Sequence, residues 1–320
     1  MASNISHGDY VRSIVEKEQA AVQSSLAASW RRSMLHYGLT PEQSRTADHV
    51  SQTMLNDAKG ELDFLLHVAM PTLEKLFKTV DKSGCCVVLS DMKGVILNSQ
   101  SQAGDNAVFN QWGLTDGAVW SEKKQGTNGI GTCAAEQRPV VIHRDQHFKS
   151  QNTMMSCMGA PVFDNEGKMI AVLDVSSCRN DLTSGFANVF GKVVADTAQR
   201  IEQDYFRGIY RDARIVMAPN EDINTAALFA VDQDELVIGA NRHARRAYGL
   251  DDTSLLAPRP LSDLMGGNEE QSASLQNAEK SEIRRSLARS KGNVSVAAKD
   301  LGISRATMYR RMQRLDISTN

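Results

Sequence analysis

The 320-residue sequence has no apolar run that approaches the roughly 20 residues a helix needs to cross a bilayer. Its first seven residues, Met-Ala-Ser-Asn-Ile-Ser-His, also lack the apolar stretch of a secretory signal peptide. These two absences argue against a membrane-embedded or secreted protein. We therefore expect a cytoplasmic protein with no membrane partner.

Two chemical motifs are also missing. No segment matches Gly-x4-Gly-Lys-Ser/Thr, so the phosphate-binding loop of many ATPases is absent from the sequence. The cysteines contain no Cys-x-x-Cys pair, which favours reduced, mostly buried thiols. The five are Cys85, Cys86, Cys133, Cys157 and Cys178.

Gly129-x-Gly131-x-x-Ala134 formally fits the dinucleotide-binding fingerprint. That fingerprint requires a buried strand before it, and residues 120–125 are too polar for one. We interpret the loop instead as a glycine-permitted turn in the wall of a pocket.

What the sequence does have is a strong separation of charge. Residues 279–315 hold ten lysines and arginines against three acidic residues, a formal charge of +7. The formal charge of the whole chain is −2, so the remainder carries −9. A chain of 320 residues has room for two or three domains, so the two charges can belong to different domains. A basic segment joined to an acidic body is expected when one end of a protein meets phosphate.

The basic segment has the spacing of three short helices separated by Gly292 and Gly302, which is the layout of a helix-turn-helix. Asn293 and Ser304 are suitable N-caps for the second and third helices. The apolar residues of the third helix recur at helical spacing, so that helix buries one face and leaves the other free. They are Met308, Met312 and Leu315. The alternative is a solvated basic helical bundle.

Residues 292–315 resemble the Fis-type helix-turn-helix at the C-terminus of many bacterial enhancer-binding activators. The resemblance implies contacts with DNA backbone and base edges at Ser304, Arg305, Thr307, Arg310 and Arg311. Tyr309 departs from the family's commoner basic residue. By helical rotation Tyr309 and Arg314 flank the same free face, so both belong to the predicted DNA-binding surface. The expected partner is a double-stranded operator.

Upstream of the basic segment, the periodicity predicts an α+β fold. Apolar spacing predicts one helix over residues 9–37, a second helix starting at Thr40-Pro41, and a third over 61–80 in which Pro71 can introduce a kink. Five strands of an antiparallel sheet are predicted at 85–91, 95–97, 139–143, 158–163 and 169–175. A long helix is predicted after Thr183.

A second resemblance covers the sensor half. Residues 26–39 resemble the N-terminal signature of the acetoin-catabolism family of sigma-54 activator-like regulators, and segments between 126 and 176 resemble that family's GAF sensory domain. Residues 228–250 resemble the front of a PAS domain, which we interpret as truncated. The implied organisation is an N-terminal helical segment (1–60), a GAF domain (61–205), a linker helix and truncated PAS-like segment (206–265), a flexible linker (266–278) and the Fis-type helix-turn-helix (279–320).

A small-ligand site needs an apolar wall and a few directed hydrogen bonds. The residues predicted to form it are Trp112, Trp120, Asn128, Thr132, His143, His147, Phe148, Met155 and Cys157. We find no clearly placed arginine or helix N-terminus for a phosphate, so this composition favours an uncharged or weakly polar metabolite over a cyclic nucleotide.

The same region offers three other chemistries. His143 and His147 could bind a metal with Cys157, although both histidines belong to the ordinary GAF pattern. Cys157 or Cys178 could sense oxidants. One group of GAF-fold proteins reduces methionine sulfoxide with low-pKa thiolates, but Cys85 and Cys86 open an apolar strand. We therefore predict no metal, no cofactor and no catalytic residue.

The two resemblances together predict a homodimeric transcription regulator that senses a small-molecule effector and binds an operator. Without the ATPase of its relatives it would act at ordinary promoters through RNA polymerase, or compete with full-length relatives for their sites. The apolar stripes at 11–37 and 186–205 are the candidate dimer seams. The alternative from another class is a signalling adaptor that does not bind DNA.

Overall fold

The computed structural model describes residues 5–17, 19–44, 46–219, 225–250, 259–265, 275–290 and 292–317. It divides into two compact units, Met1–Pro258 and Arg259–Asn320. Helices and antiparallel strands are both present, which confirms the predicted α+β class. Among the described residues, no helix combines the length and the apolar character needed to span a bilayer.

The chain opens with three short helices and a π-helical turn: α1 (His7–Val15), α2 (Ala20–Gln23), α3 (Ser25–Arg31) and Arg32–His36. The prediction of one continuous helix over 9–37 is therefore wrong. Ser24 adopts an extended backbone and caps α3 by accepting a hydrogen bond from the Ala27 amide. Apolar residues keep helical spacing across this break, which conceals it in the sequence.

No helix begins at Thr40-Pro41, in contrast to the prediction; residues 41 and 42 form a turn instead. The Pro41 carbonyl accepts a hydrogen bond from the Ser150 amide at 2.8 Å, which anchors the turn against the first unit. The next helices are α4 (Gln52–Glu61) and α5 (Asp63–Val80), and α5 contains Pro71.

The central sheet of the first unit has five antiparallel strands in the order β2-β1-β5-β4-β3. They are β1 (Cys85–Asp91), β2 (Ile96–Gln100), β3 (Val140–His143), β4 (Ser156–Phe163) and β5 (Met169–Ser177). All five predicted strands are present. Every residue of β1 and β4 is buried, so both faces of the sheet are covered.

Because side chains alternate along a strand, the two faces have different neighbours. On one face Val87 and Leu173 pack against α5 and α9 (Ser184–Ile209). On the other face, here called the inner face, Cys86 and Cys157 pack against Trp120 and a set of short helices. Those helices are α6 (Asn106–Trp112) and α8 (Gly129–Glu136), and α7 (Glu122–Gln125) packs against α8.

After α9 the first unit forms a second antiparallel sheet. Its strands are β6 (Arg214–Ala218), β7 (Ala227–Val231) and β8 (Leu236–Ala240), followed by α10 (Arg242–Ala247). The strand–strand–helix order of the PAS-like segment is as predicted, whereas β6 was missed. Phe206 of α9 packs against Leu228 and Ala230 of β7, which connects this sheet to α9.

The second unit contains β9 (Arg259–Pro260), α11 (Leu261–Leu264), α12 (Leu275–Arg289), α13 (Val294–Asp300) and α14 (Arg305–Arg314). Residues 266–274 of the predicted flexible linker lie outside the described residues. The last three helices share one apolar core, built from Ile283, Leu287, Val294, Ala297, Ala298, Met308, Met312 and Leu315.

Candidate sensor site and nucleic-acid interface

The structure brings most of the predicted ligand residues together on the inner face of the sheet. Trp120, Met155 and Cys157 are buried in one apolar cluster, and Trp112 packs against it while partly exposed. His147 is also buried, with its Nε2 3.3 Å from Cys157 Sγ.

His143 is not part of that group. It pairs with Ser156 across β3 and β4, one position from the Ile142–Cys157 pair, so alternation places it on the opposite face. Its Nδ1 lies 2.8 Å from Ser156 Oγ.

The polar groups predicted to direct a ligand already have protein partners. Asn128 caps α8 by accepting from the Gly131 amide, and its side-chain amide donates to the Gly126 carbonyl, both at 2.8 Å. The Thr132 hydroxyl accepts from the Asn128 amide at 3.2 Å. The Trp120 indole N–H donates to the Gly113 carbonyl at 2.7 Å. A ligand at this site would therefore have to replace or rearrange existing hydrogen bonds.

The N-terminal helices, residues 7–36, cover this region, and we call them the N-terminal cover. Phe148, a predicted ligand residue, is fully buried against Val11, Val15 and Trp30 of the cover. The Trp30 indole N–H also donates to the Gln146 carbonyl at 2.9 Å. The cover is thus held by apolar contacts and by hydrogen bonds to the loop that follows β3.

A buried carboxylate joins the N-terminal cover to α7. Glu122 is 3% exposed, accepts a hydrogen bond from the Ser29 hydroxyl, and pairs with Arg32 at 3.0 Å. Ser29 Oγ also lies 2.6 Å from Thr127 Oγ1, directly before the glycine-rich start of α8. Removing one partner of such a buried network leaves an uncompensated charge, so the cover is fixed in place by a polar as well as an apolar contact.

A chain of four hydrogen-bonded side chains runs through the inner face. Ser176 Oγ lies 2.6 Å from Asp174 Oδ2 and 3.1 Å from Cys157 Sγ, and Cys157 in turn contacts His147 Nε2. His147 Nδ1 lies 2.9 Å from the Arg144 carbonyl, so Nδ1 carries the proton and Nε2 accepts from the thiol.

One hydroxyl has only one proton, so Ser176 cannot donate to Asp174 and Cys157 at once. When Asp174 is ionised, the Ser176 hydroxyl donates to Asp174 Oδ2; when Asp174 is protonated, it can donate to Ser176 and leave the Ser176 proton for Cys157 Sγ. Burial raises the pKa of Asp174 to about 6, so the carboxyl is mostly ionised at neutral pH and becomes protonated as the pH falls below about 6. Burial likewise lowers the pKa of His147 to about 4, which keeps the imidazole neutral.

Asp174 also explains one of the glycines in the predicted turn. A Cβ built on Gly129 would lie 2.1 Å from Asp174 Oδ1 and 2.7 Å from the Cβ of Cys157. Only glycine allows α8 to approach the sheet this closely. Asp174 Oδ1 is buried and has no hydrogen-bond partner in the part of the chain that the structure describes.

The cysteines lack the setting that a reactive thiol needs. Burial raises the pKa of Cys85 to about 11 and of Cys86 to about 12, and it also raises the pKa of Cys133, Cys157 and Cys178. These thiols are therefore protonated at neutral pH, which disfavours thiolate chemistry. Within the described ranges, no group of three or more metal-binding side chains is arranged to hold an ion.

The last described helix of the second unit, α14, is built as its sequence predicts. Ser304 caps α14 by accepting from the Thr307 amide at 3.1 Å, and Asn293 caps α13 in the same way. Met308 and Met312 form the buried face of α14, and the opposite face of the helix is exposed.

The predicted DNA-binding residues fall into two groups on α14. Arg305, Tyr309 and Arg310 are exposed, and the Arg305 guanidinium lies 5.6 Å from the centre of the Tyr309 ring. Arg311 and Arg314 both pair with Glu279 of α12, Arg311 at 3.1 Å. Arg305, Tyr309 and Arg310 are available to a nucleic acid. Arg311 and Arg314 would first have to exchange Glu279 for a phosphate.

Four residues of these networks are not predicted from the sequence: Ser29, Glu122, Asp174 and Ser176. Ser29 lies within the N-terminal signature and the Asp174–Ser176 segment within the GAF-like stretches, so both resemblances contained the signal. Glu122 had none, because it lies in a polar stretch with no recognisable pattern.

The chain matches two protein-family models. Residues 65–201 match the GAF domain, and residues 274–315 match the description "Bacterial regulatory protein, Fis family". The chain pairs a GAF domain with a Fis-type helix-turn-helix. The predicted GAF and Fis-type resemblances are confirmed, and the PAS-like resemblance stays a prediction.

The curated relatives that match this chain include a regulatory protein and a transcriptional activator. The acetoin catabolism regulatory protein of Cupriavidus necator is 29% identical over 71% of this chain and 35% of the relative. The acetoin dehydrogenase operon transcriptional activator AcoR of Bacillus subtilis is 27% identical over 50% of this chain and 26% of the relative. This chain thus matches only about a third or less of these relatives' length. Among solved structures, the E. coli DhaR(N)–DhaL complex aligns at 17% identity and a TM-score of 0.47, over 74% of this chain and 81% of that one.

Proposed function

We propose that this protein is a DNA-binding transcription regulator whose GAF domain responds to a small metabolite. The observation that supports DNA binding is α14, a capped helix with a buried methionine face and an exposed cationic face. A helix with this division fits the major groove, where side chains can reach base edges.

Within α14, Arg305 and Arg310 are the residues we assign to base edges, together with Thr307 near the N-terminal end. Arg310 is exposed and makes no ion pair or hydrogen bond with any described residue. Arg311 and Arg314 are assigned to phosphates, because their pairing with Glu279 places them toward α12. Ser304 positions the helix through its cap, and Tyr309 orients Arg305 through its ring.

Fluorescence anisotropy with operator and scrambled DNA tests this assignment. Arg310→Ala should weaken operator binding by about 1–3 kcal/mol and reduce the preference for operator over scrambled DNA. Arg284→Ala is the matched control, since it removes one exposed cation from α12 and should weaken both DNAs alike. If the full-length protein shows no sequence preference at ~150 mM salt, the adaptor hypothesis replaces DNA-binding regulation.

The metabolite site we propose lies on the inner face, beneath the N-terminal cover. Its support is the group of buried aromatic and soft side chains around Trp120, Met155 and Cys157, and the unpaired oxygen of Asp174. Since Phe148 and Thr127 are already covered by Trp30 and Ser29, a ligand must displace the cover to enter. An uncharged or weakly polar ligand fits these walls.

A thermal-shift screen of carbon-source intermediates against cyclic nucleotides tests this part. A ligand at 100 times its Kd adds about 2.7 kcal/mol to the stability of the state it binds. The shift should be reduced by Cys157→Ala but kept by Cys178→Ala, since Cys178 is only partly buried at the edge of the same cluster. Stabilisation by cyclic nucleotides alone would contradict the proposed site.

We further propose that the protein acts as a two-fold dimer and without an ATPase. Two recognition helices must reach half-sites about 34 Å apart, and one helix alone buries too little for operator-grade affinity. Of the two predicted seams, Val11, Val15 and Trp30 are buried within the first unit. On α9, Ile201 is buried in the same way, but Phe186 and Val189 are 62% and 61% exposed and remain available.

A further inference from the structure

A cleft with a volume of about 1120 Å³ opens on the first unit, outside the group of residues on the inner face of the GAF sheet. It is lined by the segment before β3 and by residues of β4, α9 and α10. We call it the junction cleft, because one wall belongs to the GAF domain and the other to the second sheet's helix. Tyr248 fixes the second wall by donating its hydroxyl proton to the Pro219 carbonyl at 3.1 Å.

The lining of the junction cleft is cationic. Arg138, Arg242 and Arg246 all line it, and none of its described lining residues is an aspartate or glutamate. Gln137 and Gln199 add side-chain amides that can donate hydrogen bonds. This composition differs from the inner face, which has no arginine among its buried residues.

One of the three arginines is held rigidly by the GAF domain. Arg242 Nε donates to Glu202 Oε2 at 3.0 Å, and its guanidinium lies 4.1 Å from the centre of the Phe163 ring. Glu202 is only 9% exposed and also accepts from the Phe163 amide at 3.3 Å. A guanidinium bound through Nε keeps its two terminal amino groups as donors, and the fixed position lowers the entropy lost on binding an anion.

The cleft has three arginines, and only two of them pair with a carboxylate of a described residue. Glu202 pairs with Arg242 and Glu136 pairs with Arg138, but Arg246 has no ion pair or hydrogen bond with any residue the structure describes. A surplus guanidinium in a concave site is the feature that recognises carboxylates and phosphates.

From these observations we propose that the junction cleft binds a small metabolite bearing an oxyanion, a carboxylate or a phosphate, through Arg246 with support from Arg242 and Gln199. Such a ligand contacts the GAF edge and α10 at once. It therefore stabilises their contact and gives the protein an effector site separate from the inner face. The proposal does not depend on DNA binding or on the inner-face ligand.

Isothermal titration calorimetry on the full chain tests the proposal. The probes are succinate and glycerol 3-phosphate, with butane-1,4-diol and glycerol as their uncharged counterparts, at ~150 mM salt so that non-specific charge effects are screened. At least one oxyanion should bind saturably and its uncharged counterpart should not. Which of the two binds identifies a carboxylate or a phosphate as the recognised group.

Two variants locate the site. Arg246→Gln should raise the Kd of the oxyanion roughly tenfold, which is the effect of losing one charge-assisted hydrogen bond. Arg200→Gln removes an equally exposed cation from α9 outside the cleft and should change affinity by less than about twofold. The proposal is overturned if neither oxyanion binds, if the uncharged counterparts bind as well, or if both variants weaken binding equally.

Discussion

Replacing Asp174 with asparagine should stabilise the first unit at neutral pH. The carboxyl is fully buried, and its pKa rises from 3.8 to about 6. Each unit of pKa shift corresponds to 1.36 kcal/mol, so ionising Asp174 in the folded protein costs about 3 kcal/mol more than in the unfolded chain. Asparagine cannot ionise, and its amide can donate to Ser176 as the protonated acid does.

The pH dependence follows from the direction of the shift. Because the folded-state pKa is raised, the contribution of Asp174 to stability is fully present below about pH 4 and is lost as pH rises through about 6. Asp174→Asn should therefore match the wild type near pH 4 and exceed it by up to about 3 kcal/mol at pH 7.5. His147, whose pKa is lowered to about 4, titrates in the same window, but its contribution cancels in the difference between variant and wild type.

Urea unfolding followed by tryptophan fluorescence measures this difference. All three tryptophans, Trp30, Trp112 and Trp120, lie in the first unit, so the signal reports that unit alone. Asp181→Asn is the control. The hydrogen bond from Arg179 lowers the pKa of Asp181, so removing this carboxylate should not stabilise the protein at neutral pH. A variant-minus-wild-type difference that stays flat from pH 4 to 7.5, or a variant destabilised at pH 7.5, would refute the raised pKa of Asp174.

Three further results are expected. Trp30→Ala should destabilise the N-terminal cover by about 3–5 kcal/mol, because it removes a side chain that is 2% exposed, and hydrogen exchange of residues 7–36 should report it. Glu279→Gln should tighten DNA binding a few-fold in anisotropy titrations, since it releases Arg311 and Arg314 from their carboxylate; unchanged affinity would mean that neither arginine meets DNA. Phe186→Ser should leave the melting temperature nearly unchanged but lower the dimer fraction in sedimentation, whereas an unaltered dimer would exclude this part of α9 as the seam.

The helix-turn-helix could be predicted almost completely because its signals are local. Asn293 and Ser304 cap the helices they precede, and Met308 and Met312 are buried as their spacing indicates. The pairing of Arg311 and Arg314 with Glu279 was not predictable, because it joins residues more than thirty positions apart. Periodicity defines the faces of a helix but carries no information about which distant helix lies beside it.

The strands of the GAF sheet were predictable for the same local reason, but the site on the inner face was only partly so. Trp120, Met155 and Cys157 come together because alternation directs them to one face. His143 was placed with them on the strength of a motif, although its strand position gives it the opposite face. Counting positions from Cys157 through the β3–β4 pairing separates the two residues, but that register is known only from the structure.

Three residues of the N-terminal cover, Ser29, Trp30 and Arg32, could be assigned contacts only from the structure. Ser29, Trp30 and Arg32 lie in a stretch that resembles the N-terminal signature of a regulator family, which by itself assigns them no role. In the structure the same three side chains contact Thr127, Gln146 and Glu122, and two of these partners, Thr127 and Glu122, lie next to the start of α8. A movement of α8 would therefore disturb contacts that hold the cover. If the proposed ligand site is on the inner face, this contact connects it to the N-terminal cover through hydrogen-bonded side chains, of which Ser29 and Glu122 are buried.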